Sequence, residues 1–141
     1  MIWGYVYIVG TIAVTIYVLW IGDWEARFAM ATLFVASTFT LVGIGLSEKP
    51  FQIVSLMVAS CDFFVLAIFL SHALTSRRYW TLTLPALQLI TCLTHVAKLV
   101  APDILSRVYS IGQGFWAYPQ MAIIILAARW HWENERRAEN I

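Results

Sequence analysis

Charge is what this sequence has least of. Of its 141 residues only 9 are Lys or Arg and 8 are Asp or Glu, so charged side chains make up 12%. A soluble domain carries about twice that fraction. Hydrophobic residues reach 61% and the mean hydropathy is +0.77. A chain this short cannot hide so much apolar surface inside one globule, so its outside must face lipid. The near-neutral balance, a net charge of +1, offers no electrostatic footprint for nucleic acid or acidic partners, and no basic patch is interleaved with aromatics.

Other things are missing too. There are only two cysteines, Cys61 and Cys92, both inside apolar runs and at a spacing that matches no metal motif. They read as small apolar side chains packed between helices. The sequence has no Ser-His-Asp order, His-Glu-x-x-His, phosphate loop or paired-acid motif, and enzymatic chemistry is not expected. The first apolar run has no positive segment before it and no small-residue cleavage site after it, so it reads as a retained span rather than a signal peptide.

What is present is five apolar runs, 2–21, 28–46, 51–70, 81–100 and 108–128, each about the 20 residues a helix needs to cross a bilayer. Short polar breaks separate them and force neighbours antiparallel. The expected fold is an all-α, polytopic transmembrane bundle over 1–129, followed by a short charged cytoplasmic tail over 130–141. That tail reads as a last helical turn that leaves the membrane and frays, with partner docking as the alternative. With five spans the loops alternate sides. Arg27, Arg77, Arg78, Arg129, Arg136 and Arg137 fall on one side, and Lys49, Lys98 and Arg107 on the other. The positive-inside rule then places the N-terminus outside and the C-terminus in the cytoplasm. Trp3, Tyr5, Tyr7 and Tyr109 near one boundary, and Tyr17, Trp20, Trp24, Tyr79, Trp80, Trp130 and Trp132 near the other, read as interface anchors.

One carboxylate breaks the pattern. Asp62 lies within Phe51–Leu70, a run with no other charge. In hydrocarbon an ionised carboxyl costs several kcal/mol unless it finds a partner, water or a proton. Helical phase shows where partners could come from. Gln52, Ser55, Ala59 and Asp62 share one face of the third span, within about 80°. Gln88, Thr91, His95 and Lys98 share one face of the fourth, again within about 80°. Tyr109, Gln113, Trp116 and Gln120 share one face of the fifth, within about 60°.

Counting about 1.5 Å per residue puts Asp62, Gln88 and Gln120 in a middle layer roughly 16–18 Å deep. Ser55, His95 and Gln113 form an outer layer at about 6–8 Å, and Lys98 snorkels to the headgroups. The expected site is therefore a polar core in the last three helices built from Asp62, Gln88, Thr91, His95, Gln113 and Gln120, with Asp62 bonded to Gln88 or Gln120 and His95 above. His72 and His131 lie at the opposite side from His95, which argues against a bis-histidine haem. The roughly 9 Å between Asp62 and His95 in depth argues against a metal site. No cofactor or metal is expected.

The first two spans offer packing instead. Ala29, Thr32, Ala36, Thr40 and Gly43 make a small-residue stripe on the second, and Gly4, Thr11 and Thr15 a weaker one on the first. Pro119 removes a helical hydrogen bond in the fifth span and frees the Phe115 carbonyl, predicting a kink or widened turn there. Pro85 falls in the first turns of the fourth span, where it is accommodated.

The segments Arg77-Arg78-Tyr79-Trp80, Leu87-Gln88-Leu89, Thr94-His95-Val96-Ala97 and Phe115-Trp116-Ala117-Tyr118 resemble small uncharacterised multi-span membrane proteins of alphaproteobacteria. The resemblance covers the last three spans and implies no activity. Lys49-Pro50-Phe51 echoes the first loop of the tryptophan-rich sensory proteins, but it follows the second span here and lacks the proline-tryptophan pattern that should come next. A charged tail on a small multi-span chain is also a phage-holin trait, yet an internal Asp/Gln/His core is not what a simple lesion former needs.

The expected function is a non-enzymatic integral membrane protein, an accessory or small-ligand-binding subunit. Its partners would be the lipid bilayer and either further copies of itself or a larger membrane complex, not nucleic acid. The alternative is a small transporter or proton- or cation-conducting subunit with Asp62 as carrier.

Overall fold

The computed structural model describes residues 2–46, 56–101, 103 and 106–139; for 2–4, 106, 107 and 113 it describes the backbone alone. The described residues are helical almost throughout and contain no strand. In chain order the helices are α1 (Ile2–Ile21), α2 (Trp24–Gly45), α3 (Leu56–Thr75), a 3-10 turn (Tyr79–Leu82), α4 (Thr83–Val100), α5 (Ser106–Gly114) and α6 (Ala117–Glu139). Four stretches, Trp24–Gly45, Leu56–Thr75, Tyr79–Val100 and Val108–Glu139, are long and apolar enough to cross a membrane, and Tyr5–Ile21 is a shorter apolar helix. They match the expected runs, with shifted ends. The second helix begins at Trp24, four residues early, and α3 continues to Thr75 beyond the expected Leu70.

The chain divides into two compact units. One holds α1, α2 up to Phe34 and α6 from Met121. Its buried side chains include Val18, Ile21, Ala26, Ala29, Met30, Leu33, Ile124 and Ala128. The turn between α1 and α2 is only Gly22-Asp23, and both residues have a local reason to be there. The Gly22 N–H closes α1 onto the Val18 carbonyl at 2.7 Å. A Cβ on Gly22 would sit 2.5 Å from that same oxygen, so a side chain there forces backbone to move. Asp23 then caps α2: its Oδ1 accepts the Ala26 N–H at 3.2 Å, and its carbonyl accepts the Arg27 N–H at 2.9 Å.

The end of α6 differs from the expected fraying turn. It stays helical through Glu139, supported by pairs one turn apart: Arg129 with Glu133 at 2.9 Å, His131 with Glu135 at 3.2 Å, and the Arg136 guanidinium 4.6 Å from the Trp132 ring centre. Such i,i+4 pairs add a few tenths of a kcal/mol each, enough to hold a polar helical end together.

The other unit runs from Val35 to Gln120. In it α3 packs along α4, α4 also packs on α5, and the 3-10 turn contacts both α3 and α4. Gly43, from the small-residue stripe of α2, is buried where a Cβ would lie 2.9 Å from Val58 Cγ2 of α3. That is the close backbone approach small residues permit. At the start of α4 the Thr81 and Thr83 hydroxyls donate to the Arg78 and Trp80 carbonyls, each at 2.6 Å. Pro85 sits in the first turn of α4, where its missing N–H is not needed.

The fifth apolar run is interrupted where a kink or widened turn is expected. It forms two helices, separated by a turn at Phe115-Trp116. Pro119 falls in the first turn of α6, where a missing N–H costs nothing. The Phe115 carbonyl, which Pro119 cannot serve, accepts the Tyr118 N–H at 3.2 Å, and the Trp116 carbonyl accepts the Gln120 N–H at 3.3 Å.

Gly22→Ala should lower the unfolding midpoint of the detergent-solubilised protein. Gly10→Ala, in the middle of α1 with nothing within 4 Å of the added Cβ, should raise stability by about 0.5–1 kcal/mol through the helix propensity of Ala. Opposite signs in an unfolding titration are the expected result; the same sign at both positions would refute this account of the turn.

Candidate functional site

The site grows from α4, whose face carrying Gln88, Thr91, His95 and Lys98 is turned entirely inward. Their exposures are 4%, 5%, 0% and 5%. Asp62 on α3 faces this row, its side chain 13% exposed. One carboxylate oxygen, Oδ1, accepts from Gln88 Nε2 at 3.1 Å; the other, Oδ2, lies 2.8 Å from His95 Nε2. Gln88 Nε2 also reaches the Asp62 backbone carbonyl, at 3.2 Å.

Each partner is itself held. The second ring nitrogen of His95, Nδ1, lies 2.8 Å from the Tyr109 hydroxyl on α5, and the two rings meet edge to face with centroids 5.8 Å apart. Gln88 Oε1 accepts from Gln120 Nε2 at 3.1 Å, and Gln120 Nε2 also reaches the Leu84 carbonyl at 3.3 Å. The result is one continuous chain of hydrogen bonds, Tyr109–His95–Asp62–Gln88–Gln120–Leu84 carbonyl, that ties α3, α4, α5 and the first turn of α6. Gln120 and Tyr109, at its two ends, are 1% and 4% exposed.

Of the residues singled out by helical phase, Asp62, Gln88, His95 and Gln120 are joined directly. Thr91 is buried in the same row, one turn from each of Gln88 and His95, and its carbonyl accepts the Thr94 hydroxyl at 2.7 Å. The side chain of Gln113, together with Gln52, Ser55 and Lys49, lies outside the described residues.

Three expectations need correcting. His95 does not sit in a layer above Asp62; it touches the carboxylate. Counting rise from the ends of apolar runs assumes that those ends are level and ignores side-chain reach, and the two errors together covered the 9 Å gap. Lys98 does not snorkel outward but is buried. Tyr109, read as an interface anchor, is a buried member of the network. The signal for it was available: it occupies the same helical face as Gln120, and a phenol needs a partner when buried.

With both His95 nitrogens occupied, the tautomers are linked. When Asp62 is ionised, His95 Nε2–H donates to it and Nδ1 accepts the Tyr109 hydroxyl proton. An ionised carboxylate thus receives one N–H from an imidazole and one from an amide, the satisfaction a buried charge requires. Among the described residues no group of three or more His, Cys, Asp and Glu comes together as a metal-holding cluster.

A second feature lies alongside. Between α3 and α4 runs an apolar groove of about 560 Å³, lined by Leu56, Ala59, Ser60, Phe63, Phe64 and Ala67 on one side and His95, Val96 and Leu99 on the other. Its volume lies within the usual range for small-molecule sites, roughly 300–1,000 Å³.

If the network is energetically continuous, Gln88→Leu and Gln120→Leu should each cost about 1–3 kcal/mol, because each strands a buried partner. Their double-mutant cycle in detergent should give a coupling energy near 0.6 kcal/mol and no more than about 1.7. A coupling of zero would show that the bond between the two amides contributes nothing.

The chain matches no family model, no curated protein and no solved structure.

Proposed function

We propose that this chain is a non-enzymatic integral membrane protein that serves as an accessory or small-ligand-binding subunit of the bacterial inner membrane. Its N-terminus lies outside and its C-terminus in the cytoplasm. The four long apolar stretches, with the shorter apolar helix Tyr5–Ile21 as a fifth crossing, and the excess of Arg at one set of helix ends support the topology. Its partners are lipid and either further copies of itself or a larger membrane complex.

The observation that carries the reading is the closure of the polar network. Gln88, His95 and Gln120 are 0–4% exposed, and the Gln88 amide and both His95 ring nitrogens are bonded to Asp62, Gln120 or Tyr109. A carrier must exchange its ion with water, and a transport path needs polar groups left over to solvate the ion. A network bonded within itself instead fixes how α3, α4, α5 and the first turn of α6 meet. The groove between α3 and α4, with apolar walls and the Ser60 hydroxyl, is where a small apolar ligand would sit.

A second reading is favoured by one observation: Asp62 is not wholly enclosed, at 13% side-chain exposure, and it touches an imidazole. A proton or cation carrier using Asp62 would look like this from the carboxylate's side. Proton and cation flux into dye-loaded liposomes decides between the two. The subunit reading expects background flux for the native chain and for Asp62→Asn alike. Flux in the native protein that Asp62→Asn abolishes would establish the carrier.

A further inference from the structure

The hydrogen-bonded chain has two chemically different halves. Tyr109, His95 and Asp62 are each able to lose a proton from one atom and gain one at another or at the same atom. Gln88 and Gln120 are primary amides: their Nε2 atoms donate, their Oε1 atoms accept, and neither has a basic nitrogen or an acidic proton near neutral pH. A proton can therefore pass along the first half and stops at the second. From these two facts we infer that Asp62 and His95 form a proton-binding site open to one end of the helices only, through Tyr109, with the Gln88–Gln120 pair barring passage to the other end.

Position along the helices gives the site its direction. His95 is five residues from the end of α4 at Val100, about 8 Å, and twelve from its start at Thr83, about 18 Å. Tyr109 is in the first turn of α5, so it stands between His95 and the same near end, the outer one in the proposed orientation. Gln88 is seven residues, about 10 Å, from His95 toward the far end, and Gln120 and the Leu84 carbonyl continue the row from there. The titratable half faces the short path and the amide half blocks the long one.

The proton movement balances without any co-reactant. In the ionised state Tyr109 O–H donates to His95 Nδ1, and His95 Nε2–H donates to Asp62 Oδ2. On uptake the phenol oxygen takes a proton from water at the near end as its own passes to Nδ1, and the Nε2 proton passes to Oδ2. One proton enters and one negative charge disappears. Every heavy-atom contact is kept, and only the donor–acceptor directions along Tyr109–His95–Asp62 reverse. Gln88 keeps donating to Oδ1 in both states.

The charged and titratable groups around the site come from each packed helix. Cys61 of α3 and Cys92 of α4 lie within reach of the Asp62 charge. Lys98 is buried one turn beyond His95 on the same face of α4, and Tyr109 comes from α5. Among the described residues the amides of Gln88 and Gln120 also face the site.

Two measurements on the full chain test this. In lipid nanodiscs, nitrogen NMR of the His95 ring, assigned by its loss in His95→Gln, reads exchange of the ring N–H with water. Tyr109→Phe should slow that exchange at least tenfold. Packing damage alone would speed it, so an unchanged or faster rate overturns the Tyr109 route. In dye-loaded liposomes, Gln88→Glu combined with Gln120→Glu should raise proton flux at least tenfold over the native chain, and adding Asp62→Asn should remove the gain. A folded double variant with native flux overturns the amide barrier; if that variant does not fold, Gln88→His is read by the same criterion. Native flux above background would overturn the amide barrier and the sealed-subunit reading together, whereas unslowed exchange in Tyr109→Phe overturns the Tyr109 route alone, which keeps the two failures apart.

Discussion

Everything in the second unit answers to the carboxylate of Asp62. An ionised carboxyl taken out of water loses several kcal/mol of solvation, which returns only through donors held at hydrogen-bond distance. Two donors are supplied, from His95 and from Gln88, both on the neighbouring helix. Each brings a debt of its own, because an imidazole has a second nitrogen and an amide a carbonyl. Tyr109 settles the first and Gln120 the second. The chain of satisfaction ends only at a backbone carbonyl, that of Leu84. One costly residue thus recruits polar groups from α4, α5 and the first turn of α6. Where no hydrophobic effect drives helices together, such bonds and close van der Waals packing decide which faces meet.

The break at Phe115-Trp116 lies between the two members of the network that this run supplies. Tyr109, in the first turn of α5, closes on His95 at 2.8 Å; Gln120, in the first turn of α6, closes on Gln88 at 3.1 Å and on the Leu84 carbonyl at 3.3 Å. Pro119 makes the restart cheap, since the first turn of a helix has no use for its missing N–H.

How much of this was readable beforehand depended on what kind of periodicity carried it. Helix existence and the polar faces repeat along the chain, so Asp62, Gln88, His95 and Gln120 could be picked by phase alone. The contacts between helices do not repeat. They depend on the vertical offset of one helix against another and on the reach of side chains, neither of which is written in a single run of residues. That is why His95 was expected well above Asp62 and instead touches it, and why Lys98 was expected at the surface and is buried. Tyr109 differs for another reason: an aromatic near a helix end is ordinarily an interface anchor, and only its place on the Gln120 face argues otherwise. The polar end of α6 holds as helix because i,i+4 pairs run along it, a support that hydropathy does not register.

The composition of the network also bears on why amides and titratable groups occur together in it. A row built only of groups like Asp62, His95 and Tyr109 would hold the helices as firmly, but would offer protons a path through the apolar slab. A row built only of amides would hold them without a charge to anchor the register, and each amide would have looser alternatives among backbone carbonyls. Joining the two kinds gives a strongly preferred arrangement, set by the carboxylate, and an end to the proton path, set by the first amide. The order matters as much as the membership. Exchanging the positions of Gln88 and His95 would leave the same side chains in contact with Asp62 but would turn the titratable arm toward the far end of the helices, along the longer path. The residue at each end of the Asp62 carboxylate therefore decides direction, while the carboxylate itself decides only that there must be a network.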